Sequence, residues 1–342
     1  MAEVATFRCP SCGNSLEYIP GQTFMECPFC RTRLDAAAME QAEKESTQQE
    51  NGSGFREYHC ANCGAGIVTT ETTAAARCYF CHSPVVLTER LSSEFKPDGV
   101  IPFVLDREGA AGKFRAFLGK KRFLDRRFLN DDQMESFSGV YFPYWYANLE
   151  GDASFDGEGT KVNVRTTARE TITHTRYFHV IREGKLSFRN MQRKALRSAD
   201  RKLSDGIHPY TMNELKAFSP AYLSGFLAER RDVERDEVQQ EMLSEAEGYA
   251  PSLMKQGTNY NSLKGETSFH LTGCDMKYVL LPAWVLTYQG KKASEPYYYM
   301  MNGQTGTVCG KLPVNRKKLL LACVIAGLCV TGLLCVGGAL FW

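Results

Sequence analysis

Eight of the 13 cysteines in this 342-residue chain form Cys-x-x-Cys pairs before residue 82. They make two clusters, the first with Cys9, Cys12, Cys27 and Cys30, and the second with Cys60, Cys63, Cys78 and Cys81. In each cluster 14 residues separate the two pairs, enough for a short hairpin that returns the second pair to the first. Four thiolates suit a tetrahedral Zn²⁺ ion. The sequence therefore predicts two structural zinc sites.

The second cluster repeats the first at a displacement of 51 positions, and the match extends beyond the sulfur atoms. Four further positions carry the same or a similar residue in both copies: Phe7 and Tyr58, Gly13 and Gly64, Leu16 and Ile67, Phe29 and Phe80. Glycine after the second cysteine of a pair can adopt the positive φ that a tight turn often needs. We therefore interpret the pattern as an internal repeat with one zinc ribbon per copy.

Disulfides and redox-active dithiols are the alternative interpretations of a Cys-x-x-Cys pair. Four such pairs in two matched sets favour metal sites over both alternatives. His59 and His82 border ligand cysteines and could replace one of them, although each cluster already has four thiols. The first residues have no apolar stretch like that of a signal peptide, so we expect a reducing compartment in which thiolates persist.

The composition is that of a globular protein, with 43% hydrophobic and 23% charged residues and a net charge of +2. We predict two small zinc-ribbon β modules, followed by an α+β domain with an antiparallel sheet and a C-terminal transmembrane helix. The predicted boundaries are 1–35 for zinc ribbon 1, 36–54 for a flexible linker, 55–90 for zinc ribbon 2, 99–312 for the α+β domain and 319–342 for the transmembrane helix. The polar linker predicts that the ribbons move independently.

Periodicity within 99–312 predicts both helices and strands. Apolar residues at helical spacing predict a helix over 107–118, and a second helical region spans 213–247. Strands are predicted at 100–105, 161–190, 278–289 and 296–311, with a turn at Asn302-Gly303.

Two segments of this domain echo each other, because Pro143-x-Trp145 and Pro282-x-Trp284 both lie in apolar runs. The echo predicts two related halves whose tryptophans share one core, and an aromatic ligand cage is the alternative. Since proline has no backbone N–H to donate, we expect both prolines on edge strands or at strand starts.

The sequence contains no recognisable pattern of catalytic residues. Glu108–Phe114 has the glycines and lysine of a phosphate loop without its spacing. Asp152, Asp156 and Glu158 form an acidic cluster without the spacing of a calcium loop, and the histidines have no partner at motif spacing. A four-cysteine zinc site also leaves no open position for substrate. We therefore predict that the protein is not an enzyme.

Two basic segments could contact phosphate groups. Lys120–Arg127 is a basic run that includes Phe123, and a second set comprises Arg193, Lys194, Arg197, Arg201 and Lys202. A solvated helix face is the favoured alternative for both segments.

Residues 319–342 carry no charge. As a helix they would be about 36 Å long, which exceeds a hydrocarbon core of about 30 Å. Arg316-Lys317-Lys318 precede this segment, so the positive-inside rule predicts a single-pass, C-terminal anchor with the bulk of the chain cytoplasmic. The expected location is the cell membrane.

Several segments together resemble a known group of proteins. Two CPxCG-like ribbons are followed by Phe142–Trp145, Tyr222–Arg230, Tyr278–Trp284, Met301–Gly306 and an apolar C-terminal segment. In this order they are similar to bacterial membrane proteins labelled TFIIB-type zinc-ribbon, or PriA-helicase-like from the ribbon alone. The resemblance covers nearly the whole chain and implies SPFH-domain (flotillin-like) or phage-shock-type membrane proteins as partners. It does not imply helicase activity, because the chain has no Walker A motif.

The leading hypothesis is a non-enzymatic, membrane-anchored zinc-ribbon adaptor that recruits protein partners at the cytoplasmic membrane face, where the lipid bilayer would hold it. The alternative is a membrane-tethered nucleic-acid-binding protein that uses the ribbons and Lys120–Arg127. If the ribbons are independent modules, chelation of the metal should unfold them and leave the middle domain folded.

Overall fold

The architecture comes from a computed structural model. The residues that it describes are 7–35, 56–59, 66–69, 72–77, 83–91, 95–121, 138–197, 201–288, 297–310 and 316–340. The predicted linker at 36–54 lies outside these residues, as do the four cysteines of the second cluster.

Strands dominate the described residues. They are β1 (Glu17–Tyr18), β2 (Phe24–Glu26), β3 (Arg33–Asp35), β4 (Arg56–His59), β5 (Gly66–Thr69), β6 (Thr73–Arg77), β7 (Pro84–Val86), β8 (Gly99–Val100), β9 (Ser138–Thr166), β10 (Thr171–Lys194), β11 (Lys216–Ala217), β12 (Leu227–Glu229), β13 (Ser262–Tyr288), β14 (Tyr297–Asn302) and β15 (Val308–Gly310).

Four α-helices occur in the same stretches: α1 (Arg107–Gly119), α2 (Arg201–Asp205), α3 (Arg235–Lys255) and α4 (Arg316–Leu340). Helix α1 confirms the helix predicted over 107–118. Its N-cap, Asp106, accepts a hydrogen bond from the backbone N–H of Gly109 at 2.7 Å, and Phe114 and Leu118 lie on its buried side.

Ten of the strands form one large sheet. Its order is β11-β8-β13-β9-β12-β6-β7, with β10 paired to β9, β14 paired to β13, and β15 paired to β14. The three longest strands are β9, β10 and β13, and β9 runs antiparallel to both β10 and β13. Burial alternates along part of β9, because Leu149, Ala153 and Phe155 are buried while Asp152 and Asp156 are exposed, as expected for a strand with one face in the core.

The predicted α+β class is wrong, because the structure is mainly β-sheet with few helices among the described residues. Residues 213–234, predicted as helical, instead form 3-10 turns and the short strands β11 and β12. Pro220 and Gly225, whose φ is +94°, interrupt any helix there. Helix α3 therefore begins only at Arg235.

The membrane prediction is also contradicted. Within the described residues, no helix combines the length and the apolar character needed to cross a membrane. This finding contradicts the predicted transmembrane helix at 319–342, the single-pass C-terminal anchor and the membrane location.

Pro143 and Pro282 lie inside the central strands β9 and β13 rather than at the predicted sheet edge or strand start. Along one side of β9, the pairing with β12 ends and the pairing with β10 begins at the proline. Along one side of β13, the same change occurs between β8 and β14. At these points no paired strand has to accept a hydrogen bond from the N–H that proline lacks. Both prolines still accept a hydrogen bond there. The Pro143 carbonyl receives the N–H of Ala195 at 2.9 Å, and the Pro282 carbonyl receives that of Gly303 at 2.8 Å.

The two halves suggested by the Pro-x-Trp echo are β8–α1–β9 and β12–α3–β13. The short strand of each half pairs with the long strand of the other half. Strand β8 pairs parallel with β13, and β12 pairs parallel with β9. The tryptophan of each half also makes a hydrogen bond to the backbone of the other half. The indole N–H of Trp145 donates to the Val233 carbonyl at 3.0 Å, and that of Trp284 donates to the Leu105 carbonyl at 3.1 Å. Both rings are buried in one hydrophobic core.

A half-buried histidine lies beside this core. The ring of His208 packs edge-on against Tyr144 and Tyr210, with centroid distances of 5.3 and 5.5 Å. Its Nε2 atom is buried without a hydrogen-bond partner among the described residues. Burial lowers the pKa of His208, with a smaller opposing effect from Asp205 and a smaller lowering effect from Arg193. The folded chain therefore favours the neutral ring.

Acid should weaken the fold through His208. The unfolded chain has a histidine pKa of about 6.5 and takes up a proton before the folded chain does, so the free energy of unfolding should fall below about pH 6.5. His208→Asn should reduce this fall in urea denaturation between about pH 7.5 and about pH 5. The exposed His174→Asn is the matched control. An unchanged pH dependence in His208→Asn would contradict the assignment.

Candidate metal centre

Cys9 and Cys12 lie on a tight turn closed by two backbone hydrogen bonds. The N–H of Gly13 donates to the Cys9 carbonyl at 2.8 Å, and the N–H of Cys9 donates to the Asn14 carbonyl at 2.7 Å. Gly13 has a φ of +73°, the left-handed conformation predicted for the residue after the pair.

Cys27 and Cys30 lie on a second turn of the same design. The N–H of Arg31 donates to the Cys27 carbonyl at 2.9 Å, and the N–H of Cys27 donates to the Thr32 carbonyl at 3.0 Å. Arg31 stands at the position equivalent to Gly13 and has a φ of +61°. This conformation costs a non-glycine residue roughly 1–2 kcal/mol, so the turn is held by its surroundings rather than by local preference.

The two turns bring four sulfur atoms together. All four lie within 4.8 Å of one another, with Cys9 and Cys30 separated by 3.4 Å and Cys12 and Cys27 by 3.5 Å. A tetrahedral ion with metal–sulfur bonds of about 2.3 Å places its sulfurs about 3.8 Å apart. The first cluster therefore has the dimensions of a four-thiolate site and could hold one metal ion. Cys9 and Cys27 are buried, whereas Cys12 and Cys30 are exposed.

Thr32 tunes one of these ligands. The Cys30 sulfur lies 3.1 Å from the Thr32 hydroxyl. Hydrogen bonds from the side chain and then the backbone of Thr32 lower the pKa of Cys30 to about 6, because both favour the thiolate. The thiolate is the form that binds metal, so this turn prepares Cys30 as a ligand at neutral pH.

Sequence reasoning missed Thr32, although the repeat contains the signal for it. The equivalent position of the second copy is Ser83, which also carries a hydroxyl group. A hydroxyl two residues after the last cysteine of each cluster indicates a hydrogen bond to that sulfur.

The second cluster lies outside the described residues, but the strands around it follow the repeat. Every residue pair of the β6–β7 ladder is a pair of the β2–β3 ladder displaced by 51 positions, so that Phe24 opposite Asp35 corresponds to Ala75 opposite Val86. In contrast to β2, β6 also pairs with β12 of the large sheet. The described backbone thus supports the repeat on the C-terminal side of each cluster.

The first ribbon packs against the large sheet, which differs from the independent movement expected from the linker. Leu16, Tyr18 and Met25 are buried in the same core as the sheet. The Ser224 hydroxyl donates to the Leu16 carbonyl at 2.7 Å, and the N–H of Tyr18 donates to the Ser224 carbonyl at 3.2 Å. The ring of Tyr18 meets that of Tyr222 edge-on at 5.2 Å. The two cysteine turns are therefore anchored to the large sheet through a shared core.

The other predicted groups do not assemble into a site. Among the described residues, the four cysteines of the first cluster are the only group of three or more side chains arranged to hold a metal. Asp152, Asp156 and Glu158 lie outside any such group, and Asp156 is paired with His179 at 2.6 Å. In the second basic set, Arg193 pairs with Glu245 and Arg197 pairs with Glu237.

Two further predictions fall mostly outside the described part of the chain. Of the basic run Lys120–Arg127, only Lys120 and Lys121 are described. The side chains of His59 and His82 are not among the described ones, so their proposed roles stay predictions.

Comparison with known proteins gives one relative of nearly equal length. The chain is 29% identical over 322 residues to a protein of Bacillus subtilis (strain 168), the uncharacterized protein YdjG, with 92% of each chain covered. No protein-family model matches the chain, and no solved structure matches it. The name of the relative indicates no activity, so the function has to be argued from the site.

Removing the metal should destabilise the large sheet as well as the first ribbon, because both contribute side chains to one hydrophobic core. In Cys12→Ser, which removes an exposed ligand, we expect faster hydrogen exchange at 219–226, where the body contacts the ribbon. The melting temperature should fall by at least roughly 2–4 °C, which corresponds to about 1 kcal/mol for a domain of this size. Cys274→Ser, outside the cluster, is the control. If exchange at 219–226 is the same in the metal-free chain, the ribbon is energetically independent.

Proposed function

We propose that this chain is a non-enzymatic zinc-ribbon adaptor that recruits protein partners. The observation that carries the proposal is the first cysteine cluster, whose sulfur separations suit a tetrahedral Zn²⁺ ion. Four thiolates complete the coordination of such an ion and leave no position for water or substrate. A closed site of this kind supports a binding surface rather than a reaction.

We also propose a second Zn²⁺ ion, held by Cys60, Cys63, Cys78 and Cys81. The spacing of these cysteines and the shared register of the β2–β3 and β6–β7 ladders support this site. Elemental analysis of the purified chain should give two Zn²⁺ ions per chain. A value of one would mean that the second copy has kept the fold of the repeat without its metal.

Phe29 marks the surface of the first ribbon that we assign to partner binding. It lies between Cys27 and Cys30 and is 78% exposed, whereas Leu16 and Tyr18 of the same ribbon are buried against the body. Large aromatic side chains held in place by their backbone are typical anchors of protein interfaces. The repeat places Phe80 at the equivalent position of the second copy.

SPFH-domain and phage-shock-type proteins are the partners to test first, since the resemblance in the sequence implies them. A purified candidate gives a sharper result than a lysate, because its affinity can be measured directly. Binding to an aromatic anchor should depend on the ring and on the metal that holds the turn beneath it.

Recruitment can be tested with three variants of the full chain in titrations against a purified candidate and in quantitative pull-downs. Phe29→Ser should keep its zinc and lose the partner, with an affinity loss of at least about tenfold for an interface hot spot. Cys12→Ser should lose both zinc and partner. Cys274→Ser should keep both. If all three variants bind the same proteins as the parent chain, the ribbons recruit nothing.

A further inference from the structure

Strands β9 and β10 continue past the end of β13 as a two-stranded ribbon. Strand β13 begins at Ser262, opposite Thr160, whereas β9 and β10 stay paired as far as Thr166 and Thr171. The extension has six residues in each strand, or about 20 Å. We call residues 161–176 the arm, and every one of them is exposed.

The arm concentrates positive charge. It carries four cations and one carboxylate, Glu170, for a net charge of +3, whereas the whole chain has +2. The cations are Lys161, Arg165, Arg169 and Arg176. None of them makes an ion pair within the part of the chain that the structure describes. Elsewhere, several arginines are held by carboxylates, namely Arg77, Arg193, Arg197 and Arg231.

Two of these cations face each other across the ribbon. Lys161 lies directly opposite Arg176, so both side chains project from the same face. Like charges in this arrangement destabilise a strand pair. The ammonium group of Lys161 lies over the rings of Phe178 and Tyr260, at 5.7 and 5.2 Å, which orients it without neutralising it. An anion bound at this face would remove the repulsion.

Hydrogen-bonding side chains lie between the cations on this face. The next pair along it is Asn163 opposite His174, followed by Arg165 opposite Ile172. Arginine and asparagine are among the side chains that read base edges through paired hydrogen bonds. Threonine hydroxyls, which contact phosphates in many complexes, are frequent on the other face and in the turn: Thr166, Thr167, Thr171, Thr173 and Thr175.

We propose that the arm binds double-stranded DNA, with its cationic face in the major groove. That groove is about 12 Å wide and admits a two-stranded β-ribbon. The closely spaced phosphates of the duplex would neutralise the opposed Lys161 and Arg176. The arm exposes the apolar side chains of Val162, Val164 and Ile172 along its strands, but the turn at its end, Thr167–Glu170, has no large apolar side chain that could enter a bilayer. DNA therefore fits the arm better than a lipid surface does.

This surface is separate from both surfaces considered in the sequence. It does not involve Lys120–Arg127, and it does not depend on the zinc ribbons or on Phe29. A Cys12→Ser chain that loses protein partners should still bind DNA through the arm, so the two proposals can fail independently.

Fluorescence anisotropy of a labelled 20-base-pair duplex with the full chain tests the proposal. The logarithm of the binding constant should fall with the logarithm of salt concentration with a slope of about −3 to −4, as expected for up to four phosphate contacts. Replacing all four cations by threonine, already frequent in the arm, should reduce affinity by at least about tenfold near 50 mM salt and flatten the slope. Arg169→Thr alone, in the turn, should reduce the slope by about one.

A matched control removes four exposed lysines from strands outside the arm: Lys185, Lys216, Lys264 and Lys277, each replaced by threonine. This control changes the net charge equally and should keep DNA affinity within about twofold. The proposal is overturned if the parent chain does not bind the duplex at low salt, or if the arm and control variants lose equal affinity. It is also overturned if the arm binds phosphatidylglycerol vesicles but not DNA.

Discussion

The antiparallel pairing of β9 with β13 is the contact on which the rest of the structure depends. Its register joins residues 138–160 to 262–285 and so unites the two halves of the large sheet. Each half completes the other, because β8 and β12 pair with the long strand of the opposite half. Trp145 and Trp284 reinforce the exchange with hydrogen bonds across the boundary. Since each half supplies part of the other's ladder and core, the two halves form one folding unit.

The candidate metal site of the first cluster is built on that unit. Its two cysteine turns are small and have few apolar residues of their own, so Leu16, Tyr18 and Met25 bury themselves in the core of the large sheet. The metal would hold the turns together from one side while the core holds the ribbon from the other. This arrangement explains how Arg31 can keep a positive φ that costs it free energy. It also holds the ribbon that carries Phe29 in place, by the metal on one side and by the core on the other.

Features that depend on near neighbours could be predicted from the sequence. A Cys-x-x-Cys turn closes within five residues, and the 14 residues between the two pairs allow a short hairpin, so the spacing was enough to place Cys9, Cys12, Cys27 and Cys30 together. Helix α1 follows from an N-cap and apolar residues at helical spacing, and the turn after Asn302 follows from its Asn-Gly pair. The repeat predicted equivalent ladders at a distance of 51 residues because each ladder is a local hairpin. The fold class was wrong because local patterns do not show how strands far apart in the chain will pair.

The effects of pairing between strands far apart in the chain are visible only in the tertiary structure. Residues 213–234 became strands and turns because β11 and β12 complete ladders with β8, β6 and β9. Pro143 and Pro282 could enter central strands because their neighbours change at those points. The charges of 161–176 are visible in the sequence, but their exposure follows from the end of β13 at Ser262. By itself, then, the sequence determined which four cysteines of the first cluster come together and where the local turns lie, because both depend on residues close together in the chain. The docking of the ribbon and the free arm came from the tertiary structure, because burial and strand pairing depend on residues far apart in the chain.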